Sequence, residues 1–240
     1  MNRLILLPGW GLGPSALQPL VDALNGLGLP TTLAELPALE SADPEAWLAE
    51  LDARLPADCW LGGWSLGGML ATALAARRGA ACRGLLTLAS NACFVARDDW
   101  PEAMDPLTFA AFRTGCSVNA STTLKRFAVL CAEGSADARG LGRQLQRGLP
   151  EAVPAALLAG LDVLAALDNR AALASFAGPQ LHLLAGHDQL LPASAASALL
   201  ALLPAGEVDV LEDCGHAFVT EQPQALAALI DEFVREASDA

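Results

Sequence analysis

Residues 61–70 read LGGWSLGGML and set one serine, Ser65, between Gly63 and Gly67, after an apolar run and before an Ala-rich segment. A strand, then Gly-x-Ser-x-Gly, then a helix is the context of a nucleophile elbow, a tight turn that lifts a serine off a strand end. Side chains at the flanking positions would collide with neighbouring backbone, so glycine is required there. The N-terminus of the following helix favours negative charge developing beside the serine. The alternative is a Gly-rich strand-to-helix turn of another kind. A phosphate loop would need Gly-Lys-Ser/Thr, which does not follow, and a dinucleotide fingerprint would sit at the first strand with an acid about 20 residues on.

Serine is a weak nucleophile at neutral pH and needs a base oriented by a carboxylate. In the chain order nucleophile, acid, histidine, the candidates are Asp188, after the apolar stretch LHLLAG, and His216, in CGHAF after GEVDVL. Both fall at strand ends, on the same edge of a parallel sheet as Ser65. His182 lies within a strand and reads as a packed core or surface histidine. His187 competes with His216 as base, and Asp209 and Asp213 compete with Asp188 as the orienting acid. An oxyanion needs two backbone N–H donors. One candidate is Leu66, directly after the serine. The other is Trp10 in the loop PGWG, where Gly9 and Gly11 would let backbone approach a substrate, although an ordinary Gly-rich turn reads the same way.

These groups need a scaffold that brings strand ends together. Short apolar runs alternate with helical patterns, which predicts an α/β chain with a mainly parallel sheet flanked by helices. Strands are predicted at Leu4–Leu7, Thr31–Leu36, Cys59–Trp64, Leu85–Ser90, Leu181–Ala185 and Glu207–Leu211. Helices are predicted at Gly13–Leu27, from Asp43-Pro44 through PEAWLAELDARL, at Leu66–Arg78, Ala193–Leu203 and Pro223–Glu236. Between Asn91 and Phe176 strand signals stop, and helices broken at Pro101, Pro106, Gly134, Pro150 and Pro154 form an insertion. The predicted division is a core of 1–90 and 177–240 with a helical insertion at 91–176.

With 240 residues, 53% of them hydrophobic, the chain is long enough for one enzyme-sized domain with a substantial core. No apolar run reaches the length of a membrane span, and the start MNRLILLPGW does not read as a signal peptide, so a cytoplasmic chain is expected. Six cysteines without a CxxC pair and three scattered histidines suggest buried thiols and no metal centre. A net charge of −13 argues against nucleic acid and anionic membranes as partners. The acidity is uneven. Between Ala110 and Pro150 stand six basic residues (Arg113, Lys125, Arg126, Arg139, Arg143, Arg147) and two acids (Glu133, Asp137).

Over almost its whole length the sequence resembles the α/β-hydrolase superfamily. More narrowly, LLPGWGL, WLGGWSLGGMLA, LTLASNACFVARDDWP and the LKRF segment resemble the pimeloyl-acyl carrier protein methyl ester esterases of biotin synthesis. The tryptophan before the serine and the stretch CFVARDDWP are far more specific than Gly-x-Ser-x-Gly alone. The resemblance implies an α/β-hydrolase fold whose helical insertion is a cap over the site. It makes Ser65 the nucleophile, Asp188 and His216 its partners, and Trp10 with Leu66 the oxyanion donors. It also implies that Phe127, Ala128, Val129, Leu130 and Cys131 line an acyl channel. Arg126, Arg139 and Arg143 would hold an acidic acyl carrier protein, which accounts for a basic island in an acidic chain. Pro8 stands where many hydrolases have histidine, one residue rather than two separates Gly186 from Asp188, and the sequence as given starts at the strand before the PGWG loop, where the resemblance would lead one to expect earlier strands.

The expected activity is a serine carboxylesterase acting on the methyl ester of pimeloyl-acyl carrier protein, with no cofactor. One rival is an esterase or acyltransferase of the same fold acting on small free esters. A rival of another class is a hydrolase-fold binding protein without turnover, against which the complete Ser, Asp and His set argues.

Overall fold

The computed structural model of the chain describes residues 2–150, 153, 155–203 and 206–239. Six strands, β1 (Leu4–Leu7), β2 (Thr31–Leu33), β3 (Cys59–Trp64), β4 (Cys82–Leu88), β5 (Gln180–Ala185) and β6 (Glu207–Leu211), form one parallel sheet in the order β2-β1-β3-β4-β5-β6. The interior strands β1, β3 and β5 are buried at every residue, as their predominantly apolar sequences require of a sheet covered on both faces; β5 buries Gln180 and His182 as well. β6 is an edge and alternates between exposed and half-buried positions.

The helices of the first half are α1 (Gln18–Gly26), α2 (Pro44–Arg54) and α3 (Leu66–Arg78). Between β4 and β5 follow α4 (Pro106–Val118), α5 (Ala120–Ala132), α6 (Ala138–Arg147), α7 (Leu157–Ala166) and α8 (Arg170–Ser175). After β5 come α9 (Ala195–Leu202), the single turn α10 (Phe218–Glu221) and α11 (Pro223–Asp239). α1 packs on α11, and α3 packs on α2, α8, β3 and β4. α4, α5, α6 and α7 pack chiefly on one another, α4 and α6 flanking α5 and α7 lying against α4.

Several boundaries differ from the sequence reading for identifiable reasons. Pro14 opens a 3-10 turn over Pro14–Leu17, and Pro19 in the first turn of α1 lacks a donor, so the predicted Gly13–Leu27 helix is split. β2 ends at Leu33, four residues before Pro37. β4 begins earlier, at Cys82, and stops at Leu88 because Ala89 takes φ 45°. Pro106 does not break a helix but starts one: Asp105 accepts a hydrogen bond from the Thr108 N–H (2.8 Å), with Pro106 at the first helical position. Asn119 and Asp137 cap α5 and α6 in the same way, through Thr122 and Gly140. Asp43 caps α2 as the Asp-Pro signal predicts. Pro154 lies outside the described residues.

The connections from β1 and β3 leave toward opposite edges of the sheet, β1 to β2 and β3 to β4. The adjacent carboxyl ends of these strands, in register at Leu7 and Gly63, therefore open a crevice at a topological switch point. The loop holding Trp10 leaves one of these ends and Ser65 leaves the other.

Candidate active site

Ser65 occupies a backbone conformation that non-glycine residues rarely adopt, φ 55° and ψ −120°, between the last residue of β3 and the first of α3. Such strain persists only where the surroundings over-determine it. Here the Ser65 N–H donates to the Leu88 carbonyl (2.9 Å), and the Ser65 carbonyl accepts from the Met69 N–H (3.1 Å) and from Ser90 Oγ (2.5 Å). A Cβ at Gly63 would strike the Gly67 backbone, one at Gly67 the Leu7 carbonyl, and one at Gly68 the Ser90 hydroxyl. The three glycines let β1, β3 and α3 approach closely enough to make the turn.

Asp188 and His216 come together from the loops after β5 and β6. Asp188 Oδ2 lies 2.7 Å from His216 Nδ1, and both side chains are all but inaccessible to solvent. The other carboxylate oxygen, Oδ1, accepts from the N–H groups of Leu190 (2.8 Å) and Leu191 (3.1 Å). Because an ionised carboxylate only accepts, the imidazole carries its proton on Nδ1 and leaves Nε2 as a lone-pair acceptor. Nε2 is buried and has no hydrogen-bond partner among the described residues. It is not hydrogen-bonded to Ser65 Oγ; such contacts commonly tighten only with substrate bound. The backbone of His216 is held from the Ser65 side, since Trp64 Nε1 donates to its carbonyl at 2.9 Å and the two rings lie 5.5 Å apart.

The competing residues fall elsewhere. His182 is buried in β5 with Nδ1 2.7 Å from Thr87 Oγ1, and burial lowers its pKa to about 4, so it is neutral within the sheet. His187 is exposed, as are Asp209 and Asp213, and Asp209 accepts only the N–H of Val210 among the described residues. The six cysteines are all free and buried. Cys131 and Cys214, whose thiols sense the Asp188 charge, are both held protonated by burial, Cys214 pushed up to about 12. Among the described residues no group of three or more His, Cys, Asp and Glu is arranged to hold a metal ion.

Leu66 is the first residue of α3, where a backbone N–H has no intrahelical acceptor. The Trp10 N–H likewise donates to no backbone carbonyl among the described residues. Trp10 is buried, with Nε1 donating to the Leu157 carbonyl (2.8 Å) and its ring edge-on to Phe127. Phe127, Val129 and Leu130 line an open groove of about 470 Å³ together with Phe112, Lys125 and Arg126. Ala128 and Cys131, which the resemblance also assigns to the channel, are fully buried and do not line this groove. Arg126, Arg139 and Arg143 are exposed, and the last two border a second groove of about 370 Å³ that shares Val129, Glu133 and Gln146 with the first. Among the described residues none of these three arginines makes an ion pair, whereas Arg113 is bound by Asp162. Sequence reasoning missed Ser90 and the roles of the Trp10 and Trp64 indoles; the Trp-Ser dipeptide was the one available signal.

The model of the Alpha/beta hydrolase family matches residues 4–229. The pimeloyl-[acyl-carrier protein] methyl ester esterase of Aromatoleum aromaticum is 36% identical over 253 residues, covering 98% of this chain and 100% of that protein. The biotin biosynthesis bifunctional protein BioHC of Cellvibrio japonicus is 40% identical over 236 residues, covering 96% of this chain, which spans only 47% of that longer relative. Among solved structures, a bromoperoxidase from Bacillus anthracis has the same fold, with a TM-score of 0.87 at 15% identity over 98% of this chain and 92% of that one. With a family match along nearly its whole length and full-length relatives above 30% identity, the chain belongs to the alpha/beta hydrolase family and, within it, to the pimeloyl-[acyl-carrier protein] methyl ester esterases.

Proposed function

We propose that the chain is a serine carboxylesterase that hydrolyses the methyl ester of pimeloyl-acyl carrier protein in biotin synthesis. The observation that carries the chemistry is the buried Asp188–His216 pair with a free Nε2, on the same edge of the sheet as a serine in an elbow. The substrate comes from the names of the relatives together with the basic face of α5 and α6.

In this reading His216 Nε2 takes the Ser65 proton as Oγ attacks the ester carbonyl. The N–H groups of Leu66 and Trp10 stabilise the resulting oxyanion. Collapse of the tetrahedral intermediate breaks the bond to the methoxy oxygen, and the imidazolium protonates it, releasing methanol. Water, deprotonated by His216, then attacks the acyl-enzyme; Ser65 leaves, recovers its proton, and the free carboxylate is released. Asp188 holds the Nδ1–H tautomer and stabilises the imidazolium throughout. None of these steps calls for a cofactor.

Residues 91–176 act as the cap, a reading supported by the meeting of α4, α5 and α7 at Trp10 and by the packing of α8 on α3. Phe127, Val129 and Leu130 line the path of the acyl chain, and Arg126, Arg139 and Arg143 receive the acidic carrier protein. That docking face is basic although the chain as a whole carries a net charge of −13, so an acidic partner is steered to one place. Among the described residues no helix is long and apolar enough to cross a membrane, and six free thiols fit a reducing, cytoplasmic setting.

The test is hydrolysis of methyl pimeloyl-acyl carrier protein by the purified protein and by Ser65→Ala, with a short p-nitrophenyl ester as comparison. Preferential cleavage of the carrier-bound ester that vanishes in the variant is expected. Cleavage of the small ester alone would keep the triad and discard the substrate.

A further inference from the structure

We propose that the Trp10 indole is a positioning group that couples the seating of α4, α5 and α7 to the competence of the oxyanion hole. The inference rests on the reading of the Trp10 N–H as an oxyanion donor and concerns what holds that N–H in place.

The loop from Pro8 to Gly11 has little backbone rigidity of its own. Gly11 sits at φ 75°, Gly9 precedes the tryptophan, and the Trp10 N–H makes no backbone hydrogen bond among the described residues. What fixes the loop is the side chain. Nε1 donates to the carbonyl of Leu157, the first residue of α7, at 2.8 Å. Phe112 of α4 and Phe127 of α5 wall the ring edge-on, with centroids 5.5 Å and 5.1 Å away. On the next turn of α7, a Cβ at Gly160 would come within 3.0 Å of Trp10 Cδ1 and 3.3 Å of Nε1. From the sheet side, Trp64 lies where a Cβ at Gly9 would meet it at 3.0 Å, so the loop is gripped from both directions.

Three helices of the insertion thus converge on one side chain whose own backbone lies in the loop that follows β1. An indole has a single strong donor, and here its acceptor is main chain of α7. If α7 shifts outward, the hydrogen bond breaks and the aromatic walls part. The Gly-flanked backbone then loses its orientation, and the N–H is no longer aimed where charge develops. Preorganisation of such donors supplies much of the rate in acyl transfer, so the coupling makes chemistry depend on closure of the insertion. Substrate that seats these helices would complete the hole; water alone would not.

The experiment uses the full chain with two substitutions. Trp10→Phe keeps an aromatic ring between Phe112 and Phe127 but removes the donor to Leu157. Gly160→Ala leaves Trp10 intact, improves helix propensity in α7 and presses a methyl on the indole. Each is assayed for kcat and KM on a short p-nitrophenyl ester, for affinity toward a trifluoromethyl ketone, whose hemiketal carries an oxyanion, and for Tm. Both should lower kcat by about ten-fold, less than the hundred-fold or more lost when a donor is deleted outright. KM should stay within about two-fold and ketone affinity should fall in step with kcat, while Gly160→Ala keeps a cooperative unfolding transition, its gain in helix propensity offsetting part of the cost of crowding Trp10 and Trp47. Wild-type kcat in either variant, or a kcat loss with unchanged ketone affinity, overturns the coupling. Failure of the wild-type protein to turn over esters or to be labelled at Ser65 by a phosphonate defeats the esterase reading itself, and the coupling with it.

Discussion

Asp188 Oδ2 and His216 Nδ1 lie 2.7 Å apart although 28 residues separate them in sequence, and the contact is sealed from solvent. The carboxylate is itself clamped by two backbone N–H groups, so it cannot rotate to serve another partner. Its effect is to choose the tautomer of the imidazole.

Asp188→Asn should therefore act through that tautomer. An amide can donate to Nδ1 and drive the proton to Nε2, where it blocks base catalysis. We expect kcat on a p-nitrophenyl ester to fall by about ten-thousand-fold, with an unchanged circular dichroism spectrum. A loss smaller than ten-fold would assign the orienting role to another acid.

Ser90 holds the strained turn at Ser65 through its 2.5 Å hydrogen bond to the Ser65 carbonyl. Ser90→Ala removes one buried hydrogen bond and should cost about 1 kcal/mol of stability. Because Ser65 is strained, kcat should fall as well, by several-fold. Urea unfolding and steady-state kinetics on the same preparation read both effects.

Gly67→Ala tests the close approach of α3 to β1. The added methyl would enter the space of the Leu7 and Pro8 carbonyls, which are backbone and cannot rotate away. Destabilisation of about 3 kcal/mol or more is expected, read as a lower urea midpoint. A variant as stable as the parent would show that the strand and helix can part without cost.

His182 gives the fold an acid-sensitive element away from the site. Its pKa drops from 6.5 unfolded to about 4 folded because burial penalises the charged ring. Above pH 6.5 the ring is neutral in both states and costs nothing. As pH falls from about 6.5 toward 4 the unfolded chain takes up the proton and the folded chain does not, so stability declines by about 3 kcal/mol. Urea unfolding at pH 7.5, 5.5 and 4.5 should show a steeper decline in the wild type than in His182→Gln. Parallel slopes would remove His182 from the account.

Reversing charge at Arg139 and Arg143 to Glu should raise KM for a carrier-bound ester by about ten-fold or more, with stronger effect at low salt. Turnover of a free p-nitrophenyl ester should stay within two-fold. Equal losses on both substrates would sink the docking surface.

The elbow was legible because its requirements are local. Gly63, Ser65 and Gly67 are specified by collisions within a few residues, and the apolar runs of β1, β3 and β5 declare buried strands on their own. The helix start at Asp43-Pro44 reads equally well, whereas Asp105-Pro106, set among several prolines, reads as a break although it begins α4. Asp188 and His216 were placed at strand ends by pattern, but His187, Asp209 and Asp213 satisfied the same pattern and differed only in where their loops point.

Sequence by itself determined the alternation of strands and helices, the tight turn at Ser65 and the family, since each rests on short-range sterics, periodicity or motif. Tertiary structure alone decided which acid meets which histidine, that Ser90 supports the Ser65 carbonyl, and that the Trp10 ring is held by helices far along the chain. Those contacts join residues 25, 28 and 147 positions apart, and their geometry follows from packing between elements, which no local pattern encodes.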